Sequence, residues 1–212
     1  FKVVDVSASP RSAGKTYENA VKHKWQMPIP IPENLKDVVV RDVQDYETIP
    51  SDLDFVFSAV NMPTKDQIRE VEFKYAKAGL PVISNNSAHR WTKDVPMIIG
   101  EINHHHSEVI AIQQKNRGFE KGFVSVKPNC SLQSYLTAIY ALEKIGYKVE
   151  KLIITTLQAV SGAGYPGVPS LDMVDNIVPY IGGEEKKTEE EPLKILGEVG
   201  EEGIVKDDSI KI

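Results

Sequence analysis

Apolar residues fall into short runs divided by polar stretches that carry glycine and proline. Residues 1–7, with Val3, Val4 and Val6, read as a strand, and residues 38–43 read as a second. Residues 55–60 (FVFSAV) are apolar nearly throughout, the pattern of a strand covered on both faces. The period then changes. Ile68, Val71, Tyr75 and Ala78 recur at three- and four-residue spacing, which predicts a helix over 65–78 with Gly79 as its stop. Residues 81–85 return to a strand. Strand, helix and strand joined by short links predict a parallel α/β sheet. Pro28, Pro30 and Pro32 alternate with apolar residues and predict an irregular, extended connection.

The alternation continues in the second half. Helices are expected at 107–114 and 131–145, the latter with Leu132, Leu136, Ile139 and Leu142 on one face. Strands are expected at 122–127 and 152–160, and further helices at 170–178 and 185–196, where Pro192 should kink or end the turn. The sharpest candidate boundary lies at 127–130, where a strand gives way to a helix. The chain opens inside an apolar run and closes inside what reads as a strand, so both ends are expected to be cut from a longer protein.

Composition narrows the field. Hydrophobic residues make up 41% and charged residues 26% of the 212, as in an ordinary globular protein. The formal net charge of -5 offers no electrostatic footprint for nucleic acid. The acidity gathers over 184–202 and reads as a solvated helix face. No apolar run approaches the roughly 20 residues needed to span a bilayer. A single cysteine rules out an intrachain disulfide and suits a reducing, cytoplasmic compartment.

That cysteine is also the first chemical candidate. Pro128-Asn129-Cys130-Ser131 joins a strand to a helix and puts Cys130 at the helix N-terminus. Unpaired N–H groups and the helix dipole there stabilise a thiolate, and could hold the oxyanion once sulfur attacks a carbonyl. Asn129 could orient substrate or loop. A buried, inert cysteine is the alternative. Gln158 lies near the end of an expected strand, where sites form in parallel sheets, and Ser161, Gly162 and Gly164 follow in a turn that lets a backbone approach a ligand closely. The alternative there is a plain tight turn. Arg90 closes a polar stretch after a strand and offers a planar fork for phosphate or carboxylate, or else a surface salt bridge. Ser9, Arg11 and Ser12 follow the first strand, where hydroxyls and a guanidinium could take a ribose 2′-phosphate; an exposed basic loop is the alternative. His104, His105 and His106 are adjacent and cannot converge on one ion from one helix face, so no metal site is expected.

Taken together, these segments resemble the aspartate-semialdehyde dehydrogenase family, in its fungal and archaeal branch. The likeness runs nearly the whole length. It is strongest over 155–169 (TTLQAVSGAGYPGVP) and 175–185 (DNIVPYIGGEE), preceded by Asn129-Cys130-Ser131. The resemblance implies an α/β fold: a Rossmann-like NADP-binding domain over 1–127 and an α+β catalytic and dimerisation domain over 128–212, both incomplete. It makes Cys130 the nucleophile that forms a thioacyl intermediate, with Asn129 and Gln158 beside it. Arg90 and Lys187 are implied to bind the substrate's phosphate, and Glu184 to lie near its amino group. Ser9, Arg11 and Ser12 are implied for the 2′-phosphate, and Ser161, Gly162 and Gly164 for the nicotinamide end of NADP. A mild departure is Lys127, where a small or apolar residue often precedes the proline. The family's glycine-rich turn, carboxylate-binding arginine and acid/base histidine have no counterpart within residues 1–212.

The activity so implied is NADP-dependent reductive dephosphorylation of L-aspartyl 4-phosphate to the semialdehyde, in lysine, threonine, methionine and isoleucine biosynthesis. The partner is a small-molecule substrate, and the assembly a homodimer or homotetramer. Two other readings are a malonyl-CoA or succinyl-CoA reductase on the same frame, and an inactive fragment serving only as an interaction protein.

Overall fold

The structure, a computed structural model, describes residues 1–212. It divides into two compact units, Phe1–His89 with Gln113–Ser125, and Arg90–Ile112 with Val126–Ile212. The sequence reading placed one cut at 127; here residues 90–112 group with the second unit.

In the first unit β1 (Ser7–Ala8), α1 (Tyr17–Val21), α2 (Glu33–Lys36), β2 (Arg41–Asp42), β3 (Val56–Ser58), α3 (Lys65–Lys77) and β4 (Pro81–Ser84) follow in order. β1 pairs parallel with β2, and β3 pairs parallel with β4 through Val56–Val82 and Ser58–Ser84. The strand expected over 1–7 shrinks to its end. Only its last residues find a neighbour to bond, Val6 O accepting from Arg41 N at 2.9 Å, while Phe1, Val3 and Val4 are exposed. α3 forms as expected. Thr64 caps it with Gln67 in a reciprocal box, and Ile68, Val71 and Tyr75 bury its apolar face.

The central sheet has the order β3-β4-β5, with β5 at Phe123–Val126. It approaches α3 so closely that a Cβ on Gly122 would lie 2.0 Å from the Ala76 carbonyl oxygen, which only glycine allows. This parallel β–α–β arrangement is Rossmann-like.

The second unit holds α4 (Gly100–Asn103), the start of α5 (Val109–Arg117), α6 (Cys130–Lys144), α7 (Ser170–Met173), α8 (Glu184–Ile195) and a hairpin of β6 (Glu198–Gly200) and β7 (Gly203–Val205). α6 buries Leu132, Leu136 and Ile139, but Leu142 is exposed on its last turn. α7 is a single turn rather than the helix expected to 178, because Val174 is already extended at ψ 117. Residues 153–159 form no strand. Apart from Leu152 N bonding Lys211 O at 2.9 Å, this stretch has no backbone ladder, and Ile153 and Leu157 stand exposed.

α8 continues past Pro192 to Ile195, so the proline does not end it. Proline has no N–H for the Thr188 carbonyl; the Tyr135 hydroxyl donates to that oxygen instead, at 3.3 Å. His106 is fully buried, with Nδ1 against Asn103 Nδ2 at 3.0 Å and Nε2 against Gly197 O at 2.8 Å, so it serves packing beside α4.

Candidate active site

Two helix N-termini meet in the second unit. α6 begins at Cys130, after the apolar strand β5 and the rigid Pro128. α8 begins at Glu184, after Gly183 at φ 73, a left-handed conformation that glycine adopts without strain. An acid in the first turn of α8 suits the helix dipole. Both termini line an open cavity of about 1180 Å³, together with Gln158, Gly162 and Lys187.

Cys130 is exposed, so the inert, buried alternative falls away. Asn129 caps α6. Its Oδ1 accepts from Cys130 N at 2.9 Å and lies 3.6 Å from Cys130 Sγ. Its Nδ2 donates to Glu184 Oε1 at 2.5 Å. That same oxygen accepts from Gln158 Nε2 at 2.8 Å and from the Ser131 hydroxyl at 3.1 Å, while Glu184 Oε2 meets Lys187 Nζ at 3.2 Å. Glu184 therefore ties the thiol's neighbours together. Burial works to raise its pKa, but hydrogen bonds from Asn129, Gln158 and Lys187 outweigh it and hold the carboxyl below its ordinary value.

Arg90 is not among the cavity's lining residues. It is buried beneath the turn, with Nη1 on Glu191 Oε1 at 2.9 Å and Nε on Lys127 O at 3.1 Å. Glu191 Oε2 in turn accepts from Asn129 N at 2.7 Å. Lys194, one turn further along α8, donates to the carbonyls of Arg90, Thr92 and Val95 at 2.9, 2.8 and 2.8 Å. Burial pushes its pKa down to about 7, with Asp94 opposing. Three acceptors need three N–H donors, and only the ammonium carries three.

The expected solvated acidic face holds for Glu185, Glu189, Glu201 and Glu202, which are exposed, but Glu184 and Glu191 turn inward with Lys194 and are buried. Sequence reasoning missed Ser131, Glu191 and Lys194. A signal existed, since Glu184, Lys187, Glu191 and Lys194 recur every three or four residues, along one face of a helix.

Of the turn residues expected near a cofactor, Gly162 lines the cavity and Ser161 and Gly164 lie just beside it. A Cβ on Gly162 would meet only Gln158 Oε1, at 4.0 Å, and one on Gly164 nothing, so the backbone there is open to approach. In the first unit, Ser9 O accepts from Ser12 N at 2.9 Å, which folds residues 9–12 into a turn at the carboxyl end of β1. Arg11 projects from it, exposed and in no ion pair. An uncommitted guanidinium between two serines, at the carboxyl end of a parallel strand, fits an anionic group of a nucleotide.

The chain thus sets a thiol at a helix N-terminus beside a carboxylate and amides, and also carries a parallel α/β unit. Residues 1–110 match the family described as semialdehyde dehydrogenase, NAD binding domain, and residues 141–212 match its dimerisation domain; the chain belongs to this family. It is similar to the aspartate-semialdehyde dehydrogenase of Archaeoglobus fulgidus, 42% identical over 197 residues (93% of this chain, 54% of the relative). The enzyme of Methanothermobacter thermautotrophicus is 43% identical over 212 residues (97% of this chain, 56% of the relative). Among solved structures, the Candida albicans aspartate-semialdehyde dehydrogenase with NADP superposes with a TM-score of 0.82 at 34% identity, covering 100% of this chain and 58% of that one. The chain thus spans about half the length of the curated relatives it matches. The family resemblance read from the motifs is borne out.

Proposed function

We propose that this chain carries the nucleophile and much of the substrate site of an NADP-dependent aspartate-semialdehyde dehydrogenase, acting on L-aspartyl 4-phosphate. The observation that carries this reading is the convergence of Asn129, Ser131, Gln158 and Lys187 on Glu184, beside the exposed Cys130.

Cys130 Sγ attacks the acyl carbon, the bond to the phosphate oxygen breaks, and a thioester remains on Cys130. Asn129 Oδ1 sits against the sulfur and holds it in line. The first N–H groups of α6 face the developing oxyanion. Lys187 meets the charge of the departing phosphate. Arg90, expected to bind the phosphate, is instead paired with Glu191 beneath the turn and supports the turn from there. Glu184 takes the substrate's amino group, and Gln158 fixes the acyl end. NADPH, when bound, supplies the hydride that takes the thioester to the aldehyde. Ser9, Arg11 and Ser12 would hold its 2′-phosphate, and the open backbone at Ser161, Gly162 and Gly164 its nicotinamide end. The product feeds lysine, threonine, methionine and isoleucine biosynthesis, a cytoplasmic setting. The relatives' names favour the acyl phosphate over a CoA thioester.

The test uses the full-length protein with aspartyl phosphate and no NADPH, quenched rapidly. Mass spectrometry should find an aspartyl adduct on the Cys130 peptide, and Cys130→Ala should show neither adduct nor turnover. Turnover by a folded Cys130→Ala protein would overturn the reading.

A further inference from the structure

We propose that Glu191 is a positioning residue for the Cys130 nucleophile, acting through the backbone of Asn129, with Lys194 holding its partner Arg90 in register. This rests on the reading of Cys130 as the nucleophile.

The Lys127–Pro128–Asn129 turn delivers Cys130 to the cavity, and one buried ion pair grips it at both ends. Arg90 Nε bonds the Lys127 carbonyl at 3.1 Å, and Glu191 Oε2 takes the Asn129 N–H at 2.7 Å. Between those contacts, Arg90 Nη1 and Glu191 Oε1 meet at 2.9 Å. Pro128, in the middle, has no N–H of its own to anchor. Asn129 then passes this placement on, through Oδ1 to the Cys130 amide and through Nδ2 to Glu184.

A buried ion pair is a poor device for stability alone, since apolar side chains of the same volume often serve as well. What Arg90 and Glu191 supply, and apolar groups cannot, is two directed hydrogen bonds to two backbone atoms of the nucleophile's turn. Glu191 is 0% exposed and sits two helical turns beyond Glu184, so it serves no solvent-facing role. Lys194 completes the grip. Its three bonds to the carbonyls of Arg90, Thr92 and Val95 fix the backbone that carries Arg90.

The experiment compares Glu191→Gln, and the paired Arg90→Met/Glu191→Met, with the parent full-length protein. Glutamine can satisfy only one of the two donors. The paired variant leaves no lone buried charge, so it folds even where Glu191→Gln does not. Three quantities are read: kcat, KM for NADP, and the pH profile of Cys130 alkylation by iodoacetamide, followed on its own peptide. In every folded variant kcat should fall about tenfold or more, as expected when a reacting atom is misplaced. The alkylation profile should change as the helix terminus loosens beneath the sulfur. KM for NADP should stay within about twofold. Glu191→Asp, which keeps both acceptors, should recover part of both losses.

A purely structural role would lower melting temperature and leave the alkylation profile alone. A folded paired variant with the parental profile and kcat would overturn the proposal. Cys130→Ala, run alongside, separates the two failures. If it is dead while the Glu191 variants behave as the parent, only the positioning role falls; if it is active, the nucleophile reading falls first and this one with it.

Discussion

At the scale of single residues, Glu184 is the densest point of the site. One of its oxygens takes three donors and the other takes Lys187. Its folded pKa lies below the ordinary carboxyl value, because the hydrogen bonds outweigh the burial. The sign follows directly. The unfolded chain binds the proton first, so protonation favours unfolding. The stability that Glu184 contributes is fully present above its ordinary value and is lost as pH falls through the folded one. The parent should therefore melt above Glu184→Gln by a constant margin from about pH 7 to about pH 5, and the margin should shrink below that. Melting curves across this range check it; a margin unchanged at about pH 3 would mean the carboxylate's charge does not matter to the hub. The same variant should raise KM for the amino-bearing substrate more than it lowers kcat.

At the scale of elements, legibility followed the strength of local signals. α3 was readable because period and glycine stop agreed over 65–79, and the structure adds the Thr64 cap at its start. Cys130 was readable as a helix N-terminus because a β-rich run, a proline and a helical period meet there. The stretch 152–160 was misread because alternation and β-branching describe a residue's fitness for a strand, while a strand exists only where a neighbour pairs with it. At Pro192 the donor that serves the Thr188 carbonyl in the proline's place, Tyr135, lies 57 positions before the proline, on α6. No window of sequence shows that contact. Tyr135→Phe should leave the Thr188 carbonyl without a partner and cost about 1 kcal/mol, the lower end of the range for a buried unsatisfied group given the length of the bond. Urea unfolding of the pair checks it. An unchanged midpoint would mean that water or a shift of the turn serves that oxygen, and that α8 passes its proline unaided.

For the whole molecule, the order of motifs told more than composition did. Net charge and hydropathy excluded classes, but the sequence from Asn129-Cys130 to the 155–169 block and on to α8 pointed to one family. The charge pattern misled at two positions: most acids of the run face solvent, but the fold buries Glu184 and Glu191 against Arg90, Asn129 and Gln158. Burial depends on what the helix packs against, and that partner is α6, some forty residues away in sequence. The apolar side chains left outside carry the last consequence. Ile153 is 86% and Leu157 92% exposed, with Ile177 and Tyr180 also prominent, all within the region that matches a dimerisation domain. Exposed large apolar residues concentrated in one region mark an interaction surface, and a second copy of the chain is the occupant that the matched domain supports. Self-association is what the matched dimerisation domain supports. Leu157→Glu combined with Ile177→Glu would place charge where two copies must exclude water, so light scattering should show the assembly dissociating at concentrations where the parent holds together. Should the substituted protein keep the parental mass, the copies meet elsewhere, and these side chains await a different cover.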